Sequence, residues 1–149
     1  MESGFPVREA EVKRRLAEQL QAEGFMNLRV RYGQEPGIDI EAQFPDSHRW
    51  LYIEVKGTRL GGHATSTRRA ALGEALWQIF SVYDGSAVCA IALPHTRGFR
   101  QLVDRILTPL SRLCLHILYV GENELWHQAP HEPLPRRINS LKEALSSSL

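Results

Sequence analysis

The sequence predicts an α/β domain in which helices flank a sheet. A continuous apolar run at 87–93 reads as a strand buried on both faces, and 115–120 reads as a further buried strand. Between 37 and 57, apolar and polar residues alternate in two short segments, the period of half-buried paired strands. Helical spacing of apolar residues recurs before, between and after these segments. The resulting order is helix, three strands, helix, strand, helix, strand, over about residues 7–120.

The first helix is expected over 7–22, where Val12, Leu16 and Leu20 recur at helical steps and charged residues fill the remainder. Pro6 precedes it and Gly24 follows it, each where that residue type suits a helix end. In the first strand, Met26, Leu28, Val30 and Tyr32 alternate with Asn27, Arg29 and Arg31. Arg29 and Arg31 share a face that could meet a phosphate backbone. The next two strands form a hairpin across 45–49, a stretch of turn formers. Ile38, Ile40, Ala42 and Phe44 are expected on one face, as are Leu51, Ile53 and Val55. Asp39, Glu54 and Lys56 then fall on the faces opposite these residues.

Beyond the hairpin, 57–71 contains no acidic residue. It holds Arg59, His63, Arg68 and Arg69, several hydroxyls and the pair Gly61-Gly62, a composition suited to positioning contacts with phosphates. A helix over 68–83 follows, with Ser66 or Thr67 as its cap and Leu72, Ala75, Leu76, Ile79 and Phe80 as its inward stripe. A further helix is expected over 98–113, bent or ended by Pro109. Residues 125–127 read as a short edge strand, 128–137 with its three prolines as an extended linker, and 138–145 as a terminal helix. The core domain is thus assigned to 1–127, and 128–149 to a C-terminal extension with a short helix. Trp126, Leu134 and Leu141 in or near that extension suggest a self-association surface and a homodimer.

Composition narrows the function. A formal net charge of +1 advertises no general affinity for nucleic acid, so any such affinity must come from local clusters. Cys89 and Cys114 lie in apolar stretches and read as small buried hydrophobes, without metal-ligand or disulfide spacing. No run resembles a signal peptide or a membrane span, so a reduced cytoplasmic setting is expected. There is no phosphate loop, no nucleophile triad spacing, no zinc pattern and no internal repeat. His95, His116, His127 and His131 are scattered along the chain and read as structural or surface residues.

The chemistry therefore rests on Asp39, Glu54 and Lys56. Two carboxylates close together repel unless a proton or a cation lies between them. Such an oxygen donor set suits Mg²⁺ or Mn²⁺. A bound divalent ion activates water and offsets charge on a phosphate, and a lysine beside it can hold the water or stabilise developing charge. The bland alternative is a solvated hairpin face.

The run Pro36-Gly37-Ile38-Asp39, followed by Ile53-Glu54-Val55-Lys56-Gly57, resembles the motif of the PD-(D/E)XK nuclease superfamily. The resemblance covers about residues 7–120. It implies a restriction-endonuclease-like fold: an αβββαβ core with a mixed central sheet flanked by helices. It further implies that Asp39, Glu54 and the Val55 carbonyl hold Mg²⁺ or Mn²⁺, with Lys56 acting on water or phosphate. Glu9 is the candidate for the acidic residue that this family often carries on its first helix, with Glu11 as the second choice. Gln78 and Tyr83 are similar to a Gln and Tyr pair on a later helix, although their spacing departs by one residue from the family pattern. The implied activity is metal-dependent hydrolysis of DNA, with RNA also open. Arg29, Arg31, Arg59, Arg68 and Arg69 would contact the nucleic acid, and structure, ends or a protein partner would supply specificity. The alternative is a non-catalytic nucleic-acid-binding or assembly module that retains the fold.

Overall fold

The structure, a computed structural model, describes residues 8–58 and 64–146. Along the chain lie α1 (Glu9–Ala22), β1 (Met26–Val30), β2 (Ile40–Gln43), β3 (Trp50–Val55) and α2 (Ala64–Val82). Next come β4 (Val88–Pro94), α3 (Arg97–Arg105), α4 (Leu107–Arg112) and β5 (His116–Val120). The chain continues through β6 (Leu125–Gln128), β7 (Arg136–Ile138) and α5 (Leu141–Ser146). The strands form one mixed sheet whose spatial order, β1 to β7, is the order of the chain. Strands β1–β3 pair antiparallel, β3–β5 parallel and β5–β7 antiparallel.

Helices cover both faces. Val12, Leu16 and Leu20 of α1, with Leu141 and Leu145 of α5, pack on Ile40, Leu51, Ile53, Val55, Ala90 and Leu118. On the other face, Leu72, Ala75 and Ile79 of α2, Phe99 and Val103 of α3 and Leu110 of α4 meet Ile91, Leu93, Ile117 and Tyr119. Every residue of β4 and β5 is buried, because strands covered on both faces have no wet side.

Several elements differ from the sequence expectation, each for a local reason. The chain bends at Asp39, so β2 starts at Ile40, and Ile38 packs against the α2 face while Ile40 packs against the α1 face. Strand β1 ends at Val30 and carries a register shift between Met26 and Arg29, with Asn27 at φ 51°. Helix α2 begins by Ala64, which places Ser66 and Thr67 inside it rather than before it. Phe80 is 48% exposed and Trp77 73% exposed, so the inward stripe of α2 is narrower than its apolar content suggests. The helix expected over 98–113 is two helices broken at Ile106. Pro109 has no N–H to give, and its ring crowds the carbonyl four residues back, at Arg105. Cys89 is buried, but Cys114 is exposed at φ 56° in the turn before β5.

The C-terminal region is joined to the core. Strand β6 is not an edge, because β7 pairs with it within the stretch expected to be a linker. Strand β7 is three residues long and presents Arg136 and Arg137, a short charged edge that resists further pairing. Helix α5 is held by Glu23. Its carboxylate accepts from the Ser140 hydroxyl at 2.5 Å and from the N–H groups of Leu141 and Lys142 at 2.8 and 3.0 Å. Burial opposes ionisation of Glu23, but these donors outweigh it and hold the pKa below its ordinary value. Of the three residues offered for self-association, Leu141 is in the core, Trp126 is half-buried and only Leu134 is well exposed. The expected helix start at Val7, the serine tail from 147, Arg59, the Gly61-Gly62 pair and His63 lie outside the described residues.

Candidate functional site

The bend at Asp39 sets the geometry of the site. It carries the side chain past the end of β2 and toward the last residues of β3. There Asp39 Oδ2 accepts a hydrogen bond from the Val55 N–H at 2.8 Å. In return, the Asp39 N–H donates to Glu54 Oε1 at 3.1 Å. The two acids are thus cross-linked through each other's strand. Since the N–H and C=O of one strand residue point the same way, the Val55 carbonyl is also directed to the Asp39 side.

Glu54 is 4% exposed and faces the α2 layer, opposite Ile53 and Val55. Burial, and then the neighbouring Asp39 carboxylate, push its carboxyl up to about 8, with the Lys56 charge opposing. Burial and the Asp39 charge thus disfavour the ionised form of Glu54. Lys56 lies two residues on, on the same face. Its ammonium pairs with Glu74 of α2 at 3.0 Å, and its side chain is 12% exposed. Gln78 lies one turn beyond Glu74 on α2 and is half-buried. Tyr83, just past the end of α2, packs into the apolar layer beneath it.

Helix α1 supplies the other side of the site. Gly57 lies so close to the backbone of Arg8 and Glu9 that a Cβ there would overlap it. This contact seats the start of α1 on the end of β3. Lys13 is 2% exposed, and its ammonium donates to the Arg31 carbonyl at 2.7 Å. The same ammonium pairs with Asp39 Oδ1 at 3.0 Å and with Glu9 Oε2 at 3.2 Å. Burial works to lower the Lys13 pKa, but Asp39 and Glu9 outweigh it and hold it above the ordinary value. Glu11 is turned away, exposed and paired with Arg14.

Asp39, Glu54, Lys56 and Glu9 therefore converge. Sequence reasoning did not single out Lys13 and Glu74. Lys13 sits next to Val12 and three residues before Leu16, so it lies on the apolar stripe of α1, an unusual place for a cation without an acidic partner. Glu74 sits on an exposed helix face and carries no such signal. Among the described residues, no group of three or more His, Cys, Asp or Glu side chains is arranged to hold a metal ion by itself. Two carboxylates, a backbone carbonyl and water nonetheless suit Mg²⁺, which needs only one or two protein carboxylates. The raised pKa of Glu54 is the sign of a pair that would gain by binding a cation.

The arginines divide. Arg29 is exposed and bridges to Glu35 at 3.2 Å. Arg31 is turned inward, pairing with Glu41 and donating to the Ile38 carbonyl at 2.8 Å, so it does not present a free phosphate contact. The Arg68 guanidinium packs against Gly98 at the start of α3, with Nε buried and without a hydrogen-bond partner among the described residues. Arg69 is exposed.

Two histidines expected to be scattered meet across β5 and β6. His116 Nδ1 lies 2.8 Å from His127 Nε2. Burial, and then each other's proximity in the case of His116, depress their pKa values to about 3 and about 4. They form a neutral pair at pH 7, with His127 at the wall of a cleft of about 860 Å³ also lined by Cys114, Arg136, Ser140 and Glu143. The acidic site shares none of these residues.

Comparison with known proteins finds no protein-family model that matches the chain and no curated protein that matches it.

Proposed function

We propose that the chain is a metal-dependent nuclease that hydrolyses phosphodiester bonds of DNA, and that α1 through β5 form a restriction-endonuclease-like core. The observation that carries this reading is the buried convergence of Asp39 with Glu54 at the end of β3, with Lys56 on the same face. The element order of that core supports the fold assignment. Mg²⁺ or Mn²⁺, when bound, would polarise the phosphate and lower the pKa of a bound water. Asp39, Glu54 and the Val55 carbonyl would hold the ion.

The chain's own residues supply the rest. The Val55 N–H and Lys13 fix both oxygens of Asp39, which limits the reorganisation left to make during the reaction. The Asp39 N–H orients Glu54. Lys56, tethered by Glu74, is placed to hold the attacking water or to stabilise charge on the phosphate. Arg69 on the exposed start of α2 contacts the backbone of the nucleic acid, and a protein partner or the form of the substrate supplies selectivity.

One observation favours the second reading, a non-catalytic nucleic-acid-binding or assembly module. Lys13 and Glu74 already neutralise Asp39 and Lys56 without any ligand. One experiment separates the two. Wild type and Lys56→Ala are tested with Mg²⁺ and with Mn²⁺ on duplex, single-stranded and branched DNA and on RNA, with binding measured in parallel. The nuclease reading expects cleavage by wild type and loss of turnover in Lys56→Ala with binding retained. Salt-dependent binding without cleavage of any substrate sinks it and leaves the binding module.

A further inference from the structure

Lys13 is the most fully enclosed charge in the site; its hydrogen-bond and ion-pair partners are all oxygens, and the Tyr32 ring lies 5.7 Å from the ammonium. Its three N–H donors meet three acceptors: the Arg31 carbonyl, Asp39 Oδ1 and Glu9 Oε2, at 2.7 to 3.2 Å. Two are carboxylates and one is a backbone carbonyl, and the ammonium is 2% exposed. This is the kind of donor set that a hard divalent cation takes. The pocket shares one ligand, Asp39, with the acidic pair. Its other oxygen acceptors come from α1 and from the residue after β1, and it uses Asp39 Oδ1 while Oδ2 is held by the Val55 N–H.

We propose that the Lys13 ammonium is a built-in cation in a second cation pocket, so that the site takes one divalent ion where two adjoining oxygen pockets exist. Two-metal sites stabilise both the attacking and the leaving oxygens of a phosphoryl displacement with two positive centres. Here the second positive charge is covalently part of α1, and with all three of its donors committed to protein oxygens it acts on Asp39 and not on the phosphate. Its position is set by the packing of α1 against β3 through Gly57 and by the Val12–Leu16–Leu20 stripe. The fixed charge also answers why Asp39 can sit 15% exposed beside the buried Glu54 before any metal arrives. Lys13 thus acts as a positioning residue: it holds Asp39 and excludes a second ion. The inference rests on the metal reading of Asp39 and Glu54.

The test counts ions rather than product. Mn²⁺ bound per chain is measured by electron paramagnetic resonance on wild type, Lys13→Gln and Lys13→Arg. Removing the charge and shortening the side chain in Lys13→Gln leaves Glu9, Asp39 and the Arg31 carbonyl open to an ion. That variant is expected to bind one Mn²⁺ more than wild type, and Lys13→Arg is expected to keep the wild-type count. Should Lys13→Gln be too unstable to count, the same gain reads as a steeper rise of its melting temperature with Mn²⁺ concentration. Equal counts, or equal thermal responses, in Lys13→Gln and wild type overturn the proposal. A count of zero in wild type overturns the metal reading of the Asp39–Glu54 pair and this proposal with it, whereas one ion in both wild type and Lys13→Gln overturns only the role given to Lys13.

Discussion

Glu54 is the residue whose state responds most directly to its surroundings. Its folded pKa, about 8, lies above the ordinary carboxyl value of 4.5. A raised folded value contributes stability that is fully present below 4.5 and is lost as pH rises through 8. Without metal, the protein should therefore lose stability from this group as pH rises from 5 toward 8. Glu54→Gln should remove that slope and be more stable than wild type at pH 8. Saturating Mg²⁺ should flatten the wild-type slope, because it binds the ionised form. Denaturant titrations between pH 5 and 8 measure both effects, and parallel curves for wild type and variant would show that Glu54 is ionised throughout. On the acid side the sign reverses: His116 and His127, depressed to about 3 and 4 when folded, contribute stability that fades as pH falls below 6.5. Glu54 and Lys56 were legible in the sequence, because the alternation of β3 fixes which neighbours share a face, whereas Asp39 meets Glu54 through a bend that alternation does not show. Lys13 was not, because helical spacing alone does not tell a buried cation from one that extends its stem along an apolar stripe and reaches water.

At the scale of elements, α2 separates two arginines that look alike in the sequence. Arg69 is exposed, whereas Arg68 packs against Gly98 and ties α2 to the start of α3. On the proposed reading, Arg69→Ala should weaken nucleic-acid binding across sequences alike and reduce the salt slope by about 1, with stability unchanged. Arg68→Ala should lower the melting temperature through lost packing. Binding isotherms at several salt concentrations beside melting curves distinguish the two, and identical effects in the two variants would contradict the division. Long, strongly patterned elements such as α1, β4 and β5 were readable because burial and periodicity agree in them. The break at Ile106 and the bend at Asp39 were not. Each depends on where one proline ring or one side chain must point in three dimensions. Strand β7 was hidden because three residues among prolines carry no period at all.

For the whole molecule, one sheet carries an apolar layer on each face, and α5 completes the layer that α1 begins. Leu141 is fully buried against α1, so Leu141→Ala should cost about 2–5 kcal/mol. The kinetics should reveal when that contact forms. Each strand pairs with its neighbour in the sequence, the antiparallel pairs across short loops and the two parallel pairs across helical crossovers, so the sheet can grow outward without closing the whole chain. Seating α5 on Glu23 instead spans 118 residues, and that entropy is recovered only once both partners are in place. Leu141→Ala should accordingly speed unfolding while leaving the folding rate nearly unchanged, and a slowed folding limb in stopped-flow measurements would place α5 in the nucleus instead. Because the strands follow chain order, a growing chain can add each strand to one already present, while the apolar stripe of α1 stays partly uncovered until the last helix arrives. The carboxylate of Glu23 then serves as the latch of a molecule whose first and last helices share one wall.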